Sequence, residues 1–214
     1  TYNENKIIKL NTGEDETPIP TGGISYGTGN NIQRHAVGHP TSSFYVYETG
    51  KGVRENGEVF YYVVDRSEDG QITEDDQYYY HSPNAPITMG FQTKFQFYGF
   101  DLGISLRSNV GNYVYNDVLA ANLQYADPTN LYRNGYHNLL RSAYDTYHNK
   151  GMKSNLIYKD EAGTVTGFSE WYRLDYFVEN ASFLRIDNIT LGYSFKGNKI
   201  SGRAYVTVQN PCVF

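Results

Sequence analysis

Thr88-Met89-Gly90-Phe91-Gln92-Thr93-Lys94-Phe95-Gln96-Phe97-Tyr98-Gly99-Phe100-Asp101-Leu102-Gly103-Ile104-Ser105-Leu106-Arg107-Ser108-Asn109 reads as two β-arms joined by a tight turn. Met89, Phe91, Phe95 and Phe97 recur at every second position of the first arm, and Phe100, Leu102, Ile104 and Leu106 on the second, which is strand periodicity. With Tyr98 and Gly99 as a two-residue turn, Phe97 faces Phe100, Phe95 faces Leu102, Thr93 faces Ile104 and Phe91 faces Leu106. Every apolar side chain then falls on one face. The other face is polar, with Gln96 opposite Asp101, Lys94 opposite Gly103, Gln92 opposite Ser105 and Gly90 opposite Arg107. Each arm has about ten residues, against roughly five to six in an ordinary strand and roughly nine to eleven in a tilted strand that crosses a bilayer. Two architectures remain open at this point: a membrane strand pair, or a long hairpin in a soluble sandwich with one face on a core.

A second hairpin repeats the pattern. Ile189, Leu191, Tyr193 and Phe195 alternate up to a turn at Lys196-Gly197-Asn198-Lys199, and Ile200, Gly202, Ala204, Val206 and Val208 alternate after it. Pairing Phe195 with Ile200 sets Leu191 opposite Ala204 and Ile189 opposite Val206. Tyr205 interrupts the polar face, and the phase of Phe183, Leu184 and Ile186 slips against Ile189, which predicts a bulge near Asp187 and Asn188. Both turns are short, whereas the stretches on either side of the first hairpin, 11–87 and 110–182, are long and rich in Gly, Asn, Tyr and Pro. If 88–97 runs down and 100–109 up, then 183–195 runs down and 200–210 up, so both long segments fall at one end. Outer-membrane barrels sort their connections in this way, while structureless loops beyond about 15 residues count against a compact soluble domain.

Composition agrees. The 214 residues carry 22 Tyr, 11 Phe and one Trp, an aromatic content of 16% that suits strands and interfacial girdles. Mean hydropathy is -0.59, and there is no apolar run of roughly 18 residues, which excludes a membrane-spanning helix but not barrel strands. A net charge of -5 without a Lys/Arg cluster argues against nucleic acid as partner. Cys212 is the one cysteine and has no internal disulfide partner.

The stretch Asp175-Tyr176-Phe177-Val178-Glu179-Asn180-Ala181-Ser182-Phe183-Leu184-Arg185-Ile186-Asp187-Asn188-Ile189-Thr190-Leu191-Gly192-Tyr193 resembles a C-terminal barrel strand of the SusC/RagA family of TonB-dependent outer-membrane transporters of Bacteroidota. Further matches follow in family order: Asn5-Lys6-Ile7, Gly38-His39-Pro40 with Ser43-Phe44-Tyr45-Val46-Tyr47, Val64-Asp65 with Asp69-Gly70, Gly99-Phe100-Asp101-Leu102, Gly111-Asn112-Tyr113 and Val208-Gln209-Asn210-Pro211. The resemblance implies an all-β fragment of an antiparallel outer-membrane barrel of roughly 22 strands. Residues 1–10 would end a strand, 11–87 and 110–182 would be extracellular loops, and 88–109 and 183–210 barrel hairpins. The plug would lie before Thr1 and the last strands after Phe214. It further implies import of oligosaccharides or other oligomeric nutrients, peptides included, without bond chemistry. A SusD-like surface lipoprotein, the TonB complex acting through the plug, and outer-membrane lipid would be the partners.

Asp65-Arg66-Ser67-Glu68-Asp69-Gly70-Gln71-Ile72-Thr73-Glu74-Asp75-Asp76 has calcium-loop spacing. Oxygens at positions one, three, five, seven and twelve would come from Asp65, Ser67, Asp69, the Gln71 carbonyl and Asp76, with Gly70 at the sharp turn. The competing reading is an acidic Asp-Gly turn. Calcium is the one candidate cofactor. His35, His39, His81, His137 and His148 show no i, i+4 pair and no neighbouring Cys, so a transition-metal site is not expected. No catalytic triad or converging carboxylate pair has a local signature; adjacent Asp75 and Asp76 point apart on an extended chain. Tyr45, Tyr47, Tyr113, Tyr115, Tyr132, Tyr136 and Trp171 would stack on sugars, meet a lid protein, or pack the loops together. Leu131–Lys150 reads as a short helix, bracketed by Pro128 and Gly151, and Thr21–Asn31 as a flexible Gly-rich run. The rival function is a secreted, calcium-binding carbohydrate-recognition β-sandwich.

Overall fold

The computed structural model describes residues 1–10, 16–25, 29–53, 59–124, 156–159, 165–167 and 170–214. The strands are β1 (Ile19–Gly23), β2 (Asn31–His35), β3 (Ser43–Tyr47), β4 (Thr49–Val53), β5 (Val59–Val63), β6 (Gln77–Tyr79), β7 (Ile87–Phe97), β8 (Phe100–Val110) and β9 (Tyr113–Tyr115). After helix α1 (Asp117–Gln124) come β10 (Leu156–Lys159), β11 (Val165–Gly167), β12 (Val178–Asn180), β13 (Phe183–Lys196) and β14 (Ser201–Val213). Two units emerge: one from residues 1–4, 84–113 and 180–214, the other from 5–83 and 114–179.

The first unit is an antiparallel sheet of order β14-β13-β8-β7, with strands of 13, 14, 11 and 11 residues. The first hairpin has the register its sequence predicts, Phe97 opposite Phe100 and Phe91 opposite Leu106. Its two-residue turn has Tyr98 at φ 47 and Gly99 at φ 85. Two positive φ values define a type I′ turn, whose twist matches that of the flanking strands. The chain returns from β8 through the long segment to place β13 beside it, Leu191 opposite Leu102 and Ile189 opposite Ile104. The predicted bulge is present: the register shifts between Ile186 and Asn188 against both neighbours.

The second hairpin departs from expectation by two residues. Phe195 pairs with Gly202, Leu191 with Val206 and Ile189 with Val208. Gly197 N–H donates to the Ile200 carbonyl (2.8 Å), so residues 197–200 form a four-residue loop closed by the pair Lys196–Ser201. Phe195 lies across Gly202, where any Cβ would sit 2.8 Å from its ring. A two-residue shift keeps each side chain on its face, so the apolar surface is the same in either register.

The second unit carries short strands. An antiparallel β1-β2 hairpin continues into β3 and β6. Thr21–Asn31, read from sequence as flexible, thus contributes both ends of a hairpin. A second sheet has order β11-β10-β5-β4, with β10 parallel to β5. Tyr47, Val63, Ala120, Tyr172, Leu174 and Phe177 form the buried cluster of the unit. Helix α1 was not anticipated; Asn116 caps it, Oδ1 accepting from Leu119 N–H (2.9 Å). The predicted helix 131–150 lies outside the described residues.

Replacing Gly99 with Val forces a branched side chain into left-handed φ and brings its Cβ to 2.8 Å from the Ser194 carbonyl. The backbone term alone costs about 1–2 kcal/mol. The full-length protein carrying Gly99→Val is therefore expected to unfold at lower denaturant concentration than wild type.

Candidate functional site

The long sheet has two chemically distinct faces. One carries the rows Phe97-Phe100-Tyr193-Ala204, Phe95-Leu102-Leu191-Val206, Thr93-Ile104-Ile189-Val208 and Phe91-Leu106-Ile186-Cys212, each read across the four strands. Its large side chains meet no protein core: Phe91 is 59%, Phe95 62% and Val206 70% exposed. An apolar face of this extent on a soluble protein would be an association surface; on a barrel wall it is the lipid face. Aromatic rings gather toward the turn end, where Phe97 meets Tyr98 edge-on (4.4 Å between centroids) and Phe100 tilts against Tyr193 (4.6 Å). Such rings suit the membrane interface.

The opposite face is built from polar groups that satisfy one another. Asp101, 5% exposed, accepts from Arg203 Nε at 2.9 Å and pairs with its terminal nitrogen. Arg203 reaches it by crossing Gly192, whose missing side chain is required: a Cβ there would stand 2.5 Å from Asp101 Oδ1. Thr190 and Thr207 bond through their hydroxyls (2.9 Å). Tyr205, which breaks the alternation in sequence, lies on this face with Arg203 5.1 Å from its ring centre. Nearer the long-loop end, Arg107 and Arg185 both approach Asp187 Oδ1, at 3.0 and 3.4 Å.

In the second unit the acidic loop is tied by its own backbone. Asp65 accepts from Glu68 N–H (2.7 Å), Gly70 N–H (2.9 Å) and the Ser67 hydroxyl (3.2 Å). Asp69 accepts from Gln71 N–H (2.8 Å). Asp76 is buried and accepts from the amides of Arg66 (2.8 Å), Ser67 (2.9 Å) and Thr73 (2.7 Å). Gly70 has φ 84, as the sharp turn requires. Among the described residues no cluster of three or more His, Cys, Asp or Glu gathers in a metal-holding arrangement.

The described aromatics Tyr45, Tyr47 and Tyr115 pack against neighbouring groups. Tyr45 lies beneath Arg34 (4.0 Å) and beside Tyr79 (4.8 Å), and His39 stacks on Tyr79 (3.8 Å). Tyr47 is buried and donates to Glu170 (3.2 Å), while Tyr115 donates to the Tyr172 carbonyl (2.8 Å). Burial, reinforced by the Glu170 carboxylate, raises the Tyr47 pKa well above the ordinary phenol value; burial and Asp175 do the same at Tyr78. Tyr113 is half-buried. His35 Nδ1 accepts from Ser42 N–H (3.0 Å), and burial lowers the His81 pKa. Tyr132, Tyr136, His137, His148 and the Trp171 side chain lie outside what is described.

Burial alone would raise the Asp76 pKa, but the amide hydrogen bonds outweigh it and the net shift is downward. A lowered folded-state pKa means stabilisation that is complete above the unfolded value, near 3.8, and lost as pH falls through the folded one. Amides of Arg66, Ser67 and Thr73 should therefore stay protected from hydrogen exchange at neutral pH and open in stronger acid. Asp76→Asn should lower their protection about tenfold at neutral pH.

No family model matches the chain. The TonB-dependent receptor SusC of Bacteroides thetaiotaomicron is 38% identical over 223 aligned residues, covering all of this chain and 20% of that relative. The RagAB peptide importer in its open-open state shares the fold, with a TM-score of 0.58 at 20% identity over the whole chain and 22% of its own. Its closed-closed state gives 0.53 at 21% identity over 88% of this chain and 21% of that one. This chain thus spans only 20% of the length of the curated relative it matches. With its whole length aligned at 38% identity to SusC and its fold shared with part of RagAB, the chain belongs to the SusC/RagA family of TonB-dependent outer-membrane β-barrels.

Proposed function

We propose that this chain is part of a barrel that imports oligosaccharides or other oligomeric nutrients across the outer membrane. Energy would arrive through TonB, and a SusD-like surface lipoprotein would be the partner. The observation that carries the reading is the end-to-end identity of 38% to SusC, laid on a sheet with one apolar and one hydrogen-bonding face. In this reading Phe91, Phe95, Leu191 and Val206 dissolve the wall in lipid. Asp101, Arg203, Thr190 and Tyr205 present the interior with groups suited to hydroxylated or amide-bearing substrates. The segments 11–87 and 110–182, as expected extracellular loops of such a barrel, would contribute to the external rim.

Growth and labelled-substrate uptake in the parent bacterium test this directly. The full-length product should fractionate with the outer membrane, need detergent for extraction and co-purify a surface lipoprotein. Uptake of one oligomer class, saccharide or peptide, should fall to background when either the gene or TonB is removed. A full-length product that is monodisperse in water, with uptake unchanged, would overturn import and favour the secreted carbohydrate-recognition module.

Calcium in the Asp65–Asp76 loop stands as a proposal resting on oxygen spacing. Binding should raise the melting temperature of the loop's unit, and Asp65→Asn with Asp69→Asn should abolish the rise. Identical melting with calcium and with chelator would leave the amide bonds as the loop's sole clasp.

A further inference from the structure

The polar face of the long sheet holds an arrangement that strand pairing alone disfavours. Arg185 stands directly opposite Arg107 on neighbouring strands. Like charges in that position are destabilising. Two irregularities converge on the same place. β13 inserts Asp187 between Ile186 and Asn188, and at the same level β14 carries Asn210 in the left-handed region at φ 51. Bulges of this kind re-aim side chains and are over-represented beside functional sites. Here they aim two acceptors at Arg185: Asp187 Oδ1 at 3.4 Å and Asn210 Oδ1 at 3.1 Å from Nε, the latter also contacting the terminal nitrogen.

The arrangement is undersupplied with negative charge. One carboxylate oxygen serves two guanidinium groups, leaving one net positive charge. Asp187 is the sole ion-pair partner of Arg107 among the described residues, and the Arg107 side chain is 54% exposed. Its outer N–H edge is open to an acceptor arriving from the aqueous side. A guanidinium fork matches a carboxylate in two parallel hydrogen bonds, a geometry that an ammonium does not reproduce.

We propose that the Arg107–Arg185 pair is a recognition site for a substrate carboxylate on the inner wall, with Asp187 and Asn210 positioning the guanidinium groups. This deepens the import reading and rests on it, because it takes the polar face as the barrel interior. The carboxylate has two chemical sources, a uronic acid in an oligosaccharide or an acidic or C-terminal carboxylate in a peptide.

The test uses full-length transporter in detergent and three probes: trigalacturonate, triglutamate and neutral maltotriose. Wild type should bind one acidic probe more tightly than maltotriose, with an affinity that falls as salt rises, and the acid preferred identifies the source. Arg107→Gln should weaken that acid at least about tenfold, the equivalent of ~1.4 kcal/mol, and leave maltotriose binding and thermal melting unchanged. Arg107→Lys keeps the charge and loses the fork, so it should recover only part of the affinity, and it replaces the glutamine variant should that one melt early. No preference for acids in wild type, or wild-type affinity in either variant, overturns the site. TonB-dependent uptake is measured separately: import without acid preference removes this inference alone, whereas absence of import removes the reading beneath it.

Discussion

A strand that crosses lipid has no water to satisfy its backbone, so the inter-strand ladder must be complete wherever the chain meets hydrocarbon. Everything else in the long sheet follows from that constraint. The ladder fixes period two, period two sorts side chains to opposite faces, and only one of those faces can be apolar. Continuous pairing of β13 with both β8 and β14 then forces polar partners on the inner face to meet side by side. The crossing of Gly192 by Arg203 shows how tightly this is met: a residue without a side chain on the middle strand lets an ion pair span three strands. Arg203 and Asp101 are thereby neutralised locally on a face that otherwise serves water.

The same constraint explains what could be read in the sequence. The first hairpin was legible to the residue because a two-residue turn leaves no freedom: once Tyr98 and Gly99 take positive φ, every cross-strand pair is determined. The bulge at Asp187 was legible as a phase slip between Ile186 and Ile189. The second hairpin was legible only to its face. Alternation fixes parity but not the size of a turn, and Gly197 closing on Ile200 is a local hydrogen bond that no hydropathy pattern encodes. The pairing of β3 with β6 was illegible for a different reason, since three-residue contacts between distant segments leave almost no periodic trace. Asn116 before Asp117 carries the start signal of α1, since an Asn cap marks a helix start even when the helix is short.

The candidate site divides likewise. Alternation named the polar face and flagged Tyr205, but nothing in period two reveals that Arg107 and Arg185 share Asp187, because that meeting depends on strand order. The acidic loop shows the limit of motif spacing. Asp65, Asp69 and Asp76 stand at the right intervals, and spacing is silent on the amide bonds that already occupy part of their lone pairs. The tyrosines of the second unit were anticipated as either displayed or packed. Tyr45 and Tyr79 are packed, their rings covered by Arg34 and His39.

The loop at residues 197–200 has a bearing on how this sheet can vary over evolutionary time. Because a two-residue slip returns each side chain to its own face, re-pairing β14 two residues along β13 would preserve the wall. A one-residue slip of the pairing would turn β14 inside out, presenting Arg203, Thr207 and Gln209 to hydrocarbon and Val206 and Val208 to water. Register variation in this hairpin is therefore quantised, with even slips keeping both faces and odd slips excluded unless a compensating bulge arises in the same strand. The irregularity at Asn210 is a place where β14 already absorbs such a step.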